Sequence, residues 1–348
     1  MGIKQLLLEC MLPAVVVLLI VLKADGQEIV LNSYSVLEDQ LPRNIMYKVS
    51  LDNYAITDSL TLECRGAFFD KYPLEIDFPD VPFLLNFIQN GLPAKNAFPP
   101  KGRMDSYYFI INRNSFEVVS FDSLPGRGIA GIEKISENRI SFRWFDEGNH
   151  DRPTQEDQIG IGNNRRLRIF SSNDYDWPDF SENDIGEFKS PKPLLSEGDT
   201  TIYWDTESSL PNIYLFKHNP SIGIIAQALL GDRTEMNIVV GYSESANNIY
   251  CFITPFTMYS YSPPVLSVDT LNMIVLKFDP FTLNQIDSIV IPVEEAYGAS
   301  EIGTAESLGH YLYYYYFWQD GYEGFDPAWL LIFDTRTNEA TWLRVGWR

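Results

Sequence analysis

Two stretches far apart in the chain, YKVSLDNYAITDSLTL from residue 47 and LKFDPFTLNQIDSIVI from residue 276, align without a gap. Lys48 falls on Lys277, Asp58 on Asp287 and Ser59 on Ser288, and apolar residues match at both ends of the frame. The layout is a strand with apolar residues at alternate positions, a polar turn and a returning strand. An Asp or Asn at the start of such a turn bonds its own backbone and stabilises the reversal. A hairpin of this kind cannot bury both faces alone, so a chain that repeats it must stack one copy on the next.

Further copies of the frame follow. LFKHNPSIGIIAQALL from residue 215 fits it, FIINRNSFEVVSF from 109 carries Asn112 in the Asp place, and LRIFSSNDYDW from 167 fits more loosely. Taking the last inward residue before each turn gives Val49, Ile111, Ile169, Lys217, Phe278 and Phe333, spaced about 57 residues apart. Between them recur short segments dense in β-branched and aromatic residues, such as EIVLNSY at 28, RISFRWF at 139, NIYCFIT at 248 and YLYYYYFW at 311, bounded by Asp, Asn, Gly and Pro. The expectation is an all-β chain, specifically a β-propeller with six blades, five or seven being the neighbouring counts. Each unit is long enough for four short strands, and closing the ring removes exposed sheet edges. A large β-sandwich is the rival arrangement. One segment departs from this pattern: VPFLLNFIQNG from residue 81, with Asp80 ahead, Pro82 at its start and Gly91 beyond its end, reads as a short helical insertion near residues 81–91.

The hairpin ends FDPFT at 278 and FDTRT at 333 resemble those of kelch and other propeller repeats, and IYWDT at 202 is similar to the Tyr-Trp-Thr-Asp element of lipoprotein-receptor propellers. The Thr between Trp204 and Asp205 is missing, as is the kelch double glycine. The resemblance covers scattered short pieces and implies the architecture alone.

The chain opens with Lys4, an apolar core from Ala14 to Leu22, and small residues Ala24 and Gly26 ahead of Gln27. That is the pattern of a secretory signal peptide over 1–26, leaving one domain over 27–348; an uncleaved signal anchor is the alternative. The leader's two cations and two anions cancel, so the formal charge of −21 belongs to the remainder. Such a surface repels phosphate backbones and anionic lipid, which argues against nucleic-acid binding and favours basic partners or divalent cations. Beyond the leader only Cys64 and Cys251 remain, and in an oxidising compartment they are candidates for one disulfide, buried thiols being the alternative.

No linear catalytic motif is present. GYSES at 241 is not a nucleophile elbow, His-Glu-x-x-His does not occur, and His150, His218 and His310 lie in separate units, where structural or surface roles are expected. Two acidic, aromatic loops stand out as binding candidates: Asp174, Asp176, Trp177 and Asp179 in the first, and Trp318, Asp320, Tyr322 and Glu323 in the second, with Trp204 added from the IYWDT element. Tyr and Trp bring large contact area at low entropic cost. Asp320, Glu323 and Asp326 are the candidates for calcium, which takes several oxygen ligands; no other cofactor is expected. Arg165, Arg166 and Arg168 form the densest cationic patch, either pairing internally, meeting an anionic partner or guarding an edge strand. The leading functional expectation is a secreted module that binds a protein or glycan through loops on one face. A calcium-centred propeller hydrolase of the lactonase or esterase type and a structural extracellular matrix component are the alternatives.

Overall fold

A computed structural model describes residues 26–35, 43–62, 64, 67–68, 72–78, 81–90, 105–124, 128–136, 139–145, 155–161, 166–174, 191–205, 212–232, 236–255, 271–293, 303–316 and 328–345. Among these residues the fold is all-β, with no helix and six sheets taken in chain order, antiparallel apart from one short strand. The first sheet holds β1 (Glu28–Ser35), β2 (Arg43–Ser50) and β3 (Ala55–Leu62). The second holds β4 (Ala67–Phe68) and β5 (Leu74–Phe78), both on one edge of β6 (Val81–Asn90), followed by β7 (Asp105–Asn112) and β8 (Glu117–Leu124). The third runs through β9 (Gly128–Ser136), β10 (Arg139–Phe145), β11 (Gln155–Ile161) and β12 (Leu167–Asp174), and the fourth through β13 (Pro191–Glu197), β14 (Thr200–Asp205), β15 (Asn212–Asn219) and β16 (Gly223–Asp232). In the fifth, β17 (Met236–Ser243), β18 (Asn248–Pro255), β19 (Leu271–Phe278) and β20 (Gln285–Val293) are joined by β21 (Gly303–Thr304), which pairs parallel to β17. The sixth comprises β22 (Glu306–Leu308), β23 (Tyr311–Tyr316), β24 (Ala328–Asp334) and β25 (Glu339–Val345).

The sheets pack through apolar clusters shared by neighbours in the sequence. On β18 the alternation is clear: Tyr250 and Phe252 join Leu312, Tyr314, Leu331 and Phe333 of the sixth sheet, whereas Ile249, Cys251 and Ile253 join Ile202, Trp204 and Leu215 of the fourth. A strand buried on both faces contributes large side chains to two cores, each worth about 1.5–3 kcal/mol on burial. Second and third sheets share Phe87, Tyr108 and Phe142, and first and second share Val30, Met46, Leu84 and Phe109. The first sheet also packs on the last, through Ile29, Leu31, Val49 and Leu51 against Tyr311, Tyr315, Leu330 and Val345.

The helix expected near residues 81–91 is instead strand β6. Phe83, Leu85 and Phe87 face the third sheet and Leu84 and Ile88 face the first, so the run is apolar apart from Asn86 because both sides are covered, a pattern that a helix shares. Pro82 sits in the strand's first turn of pairing, and its carbonyl accepts the Arg113 N–H at 3.1 Å. Between β1 and β6, Asn32 and Asn86 exchange side-chain amide hydrogen bonds of 3.0 and 2.6 Å while only 3% and 2% exposed.

The repeated frame is the hairpin joining the last two strands of a sheet. The two stretches beginning at 47 and 276 are these hairpins in the first and fifth sheets, with Lys48 opposite Asp58, Lys277 opposite Asp287, and a register shift beside each pair. The expected side-chain turns form: Asn112 Oδ1 accepts from Asn114 N and Ser115 N, Asn219 Oδ1 from Ser221 N, Asp279 Oδ1 from Phe281 N and Thr282 N, and Asp334 Oδ1 from Arg336 N. Four residues after each turn's start the backbone is left-handed, at Tyr54, Phe116, Gly223, Leu283 and Asn338. For bulky residues this conformation costs about 1–3 kcal/mol; Phe116 and Leu283 recover it by inserting, 4% exposed, between sheets. Two anchors shift. In the fourth sheet the residue in register is His218 rather than Lys217, since the shift falls between them. In the third, the hairpin strand is β11, and Ile169 belongs to the returning strand β12.

Asp58 and Asp287 are exposed, whereas Lys48 and Lys277 are half-buried. Lys48 donates to the Arg113 carbonyl of the next sheet at 3.1 Å and lies 4.9 Å from the Phe116 ring centre; Lys217 reaches the Pro280 and Phe281 carbonyls in the same way at 3.4 and 3.3 Å. Short turns thus meet their neighbours at one end of the sheets, whereas the longer connections, including 91–104, 146–154, 175–190, 256–270 and 317–327, all join strand ends at the other.

Two outcomes follow from this packing. Asn32→Ala and Asn86→Ala should each lower unfolding free energy by about 2 kcal/mol by removing the buried amide–amide hydrogen bonds, with the double variant costing clearly less than the sum; additive losses in denaturant melts would show the pair is not coupled. Hydrogen bonds from Thr282 and Phe281 N–H hold the Asp279 carboxyl below its usual range. Its stabilisation is therefore present above about pH 4 and lost as pH falls through the lower folded value, so Asp279→Asn should flatten the acid limb of a melting-temperature profile.

Candidate functional site

One edge of the second sheet is interrupted. β4 and β5 both pair with β6, but Phe68 lies opposite Ile88 and Leu74 opposite Leu85, with Tyr72–Pro73 leading into β5. A cleft of about 410 Å³ opens there, bounded by the starts of β1, β5 and β22. Each of three sheets contributes one carboxylate to its lining: Glu28 from the first, Glu75 from the second and Glu306 from the sixth. Arg113, from the β7–β8 turn, is the one cation among the described residues that line it.

Arg113 organises the mouth. Its Nη2 lies 3.2 Å from Glu75 Oε1 and donates to the Glu28 carbonyl at 3.3 Å, while Lys48 holds its own carbonyl from behind. Glu28 Oε1 accepts from Thr57 Oγ1 at 3.2 Å. The wall is aromatic, with Tyr72 and Tyr313 edge to face at 5.9 Å between ring centres. Burial, followed by the carboxylates of Glu306 and Glu75, pushes the Tyr313 phenol upward, and burial with Tyr313 and Glu306 does the same for Tyr72. Both hydroxyls therefore stay protonated at neutral pH. Three carboxylates around two phenols and one guanidinium form a negative, partly apolar recess that suits an ammonium or guanidinium group with an aliphatic stem. Among the described residues, no group of three or more His, Cys, Asp or Glu side chains is close enough to hold a metal ion.

The sequence candidates are distributed differently. Trp204 is not a loop residue: it lies in β14, fully buried between the fourth and fifth sheets, because alternation along TTIYWD points it inward with Ile202. Asp174, exposed at the end of β12, accepts from Gln155 Nε2 at 2.8 Å. Asp176, Trp177, Asp179, Trp318, Asp320, Tyr322, Glu323 and Asp326 lie outside the described residues, as do Arg165 and His150. Arg168 and Arg139 flank the exposed ring of Phe170, with Arg168 on β12, an edge strand. His218 meets the edge of Tyr203, and His310 stacks on Tyr311 while its carbonyl accepts from Thr335 N and Oγ1. No disulfide joins Cys64 to Cys251: one packs beside the cluster between the first two sheets and the other lies in the cluster between the fourth and fifth.

Glu28, Glu75 and Glu306 were not singled out from the sequence. They share no local motif, although Glu28 and Glu306 are each the first residue of the first strand of their sheet, a correspondence that aligning strand starts rather than turns would have exposed.

No family model matches the chain, and no curated protein matches its sequence. Among solved structures it is similar to a candidate 6-phosphogluconolactonase from Bacteroides uniformis, at 10% identity over 93% of this chain and 84% of that one, with a TM-score of 0.36. An uncharacterised protein from Listeria monocytogenes gives 10% identity, 91% and 93% coverage and a TM-score of 0.36, and the hydrazine synthase of Kuenenia stuttgartiensis 12%, 84%, 73% and 0.32. Likenesses this loose assign neither fold nor activity.

Burial pushes the Cys251 thiol far up, whereas Cys64 is half-buried. A chain lacking residues 1–26 should therefore react with a thiol reagent at Cys64 alone when native and at both cysteines once denatured; native labelling of Cys251 would contradict this packing.

Proposed function

We propose that this chain is exported and cleaved after residue 26, that its six sheets are the blades of a closed β-propeller, and that it serves as a binding module for a basic segment of a protein partner. The closed ring is supported by the order of the apolar clusters, which link first to second, second to third, fourth to fifth, fifth to sixth, and sixth back to first. The observation that carries the functional reading is the cleft lined by one acidic residue from each of three different sheets beside two protonated tyrosines. In a chain of formal charge −21 the surrounding field draws a cationic partner toward this recess and raises its association rate.

The test is titration with a Lys/Arg-rich peptide monitored by fluorescence anisotropy at two salt concentrations. Glu306→Gln and Glu75→Gln should each weaken binding about 3- to 10-fold at low salt, an effect that shrinks as salt screens the pair, while Asp174→Asn at the opposite end of the sheets should leave affinity unchanged. Loss of binding in Asp174→Asn with none in the cleft variants would move the site to the long connections.

A further inference from the structure

The residue that follows the expected cleavage point has a seat in the fold. Gln27 N donates to Asp52 Oδ2 at 3.0 Å, and its carbonyl accepts from Leu51 N at 2.8 Å, so both backbone groups engage the β2–β3 turn. Its side chain lies over Gly309 in the β22–β23 turn, where a Cβ would collide with the Gln27 amide and where φ is +59°. Asp52 in turn accepts the Tyr311 hydroxyl at Oδ1, 3.2 Å away, across 259 residues of sequence. One carboxylate therefore holds the backbone at residue 27, the turn of the first sheet and the first residue of β23 together. Gly26 is exposed and lies against the same carboxylate, a Cβ there falling 3.4 Å from Asp52 Oδ2.

An amide N–H to a carboxylate is a modest bond, but the same nitrogen after cleavage is an ammonium. We propose that removal of residues 1–26 creates an α-ammonium at Gln27 that docks on Asp52 and clasps the first sheet to the sixth, so that processing itself tightens the junction between the two ends of the domain. The inference rests on the reading of residues 1–26 as a cleaved leader. It requires that the terminal glutamine remain uncyclised, since attack of its nitrogen on Cδ with loss of ammonia would leave a neutral amide. The Gln27 side chain, laid over Gly309, is held in a place of its own in the seated conformation.

The experiment compares thermal unfolding at pH 7 of two chains: one beginning at Gln27, checked by intact mass to be uncyclised, and one retaining residues 24–26, whose ammonium lies beyond the seat. The chain beginning at Gln27 should melt about 2 °C or more higher. The difference should vanish in Asp52→Asn, a substitution at an exposed position that keeps the turn's shape, and should largely survive Tyr311→Phe, which removes only a neutral donor. Equal melting of the two wild-type chains, or a difference that persists in Asp52→Asn, overturns the clasp. Intact mass of the protein secreted by cells tests the leader separately: a terminus elsewhere than Gln27 overturns the processing step, whatever the engineered pair shows.

Discussion

The contact that brings the two ends of the described chain together is the apolar seam between the first and sixth sheets. Each of the other clusters joins sheets that are neighbours in sequence, so those interfaces would form in any stack of hairpins, open or closed. The seam built from Ile29, Leu31, Val49 and Leu51 against Tyr311, Tyr315, Leu330, Ile332 and Val345 joins residues from opposite ends of the chain. It covers the face that the first sheet would otherwise leave to water. The Asp52–Tyr311 hydrogen bond and the Gln27 side chain over Gly309 lie along the same junction, and the acidic cleft lined by Glu306 of the sixth sheet and Glu28 of the first opens beside it. Scaffold and candidate site therefore depend on one interface.

The turn chemistry explains why the sheets resemble each other so closely while the sequences diverge. What recurs is a polar side chain that accepts from the backbone two or three residues on, a left-handed residue two places further, and in most hairpins a bulge in the returning strand. These constraints act on the backbone and tolerate many side chains. Where the left-handed residue is large, as at Tyr54, Phe116 and Leu283, local strain is exchanged for burial between sheets. The half-buried lysines at 48 and 217 add a polar tie from one turn to the next.

Strands and hairpin turns were legible in the sequence because period-two alternation and Asp/Asn turn signals act locally. β6 was misread because a strand covered on both faces loses its alternation, leaving only terminal cues that strands and helices share. Trp204 was counted as a binding candidate from the IYWDT element, but its parity with Ile202 decides its side of the sheet. The cleft was invisible because its lining residues come from three sheets that adjoin only after the seam forms. Residue type and local spacing carry no trace of that meeting.

The seam also sets an order of events during synthesis. Its partners on the first sheet leave the ribosome early, and those on β24 and β25 are the last residues described. A contact of such sequence separation closes late and slowly, so the finished hairpins of the first sheet must wait with Leu31 and Val49 exposed until the C-terminal strands arrive. Throughout that interval the nascent chain presents an apolar β surface, and its yield in the cell depends on whatever shields that surface until the last strand is made.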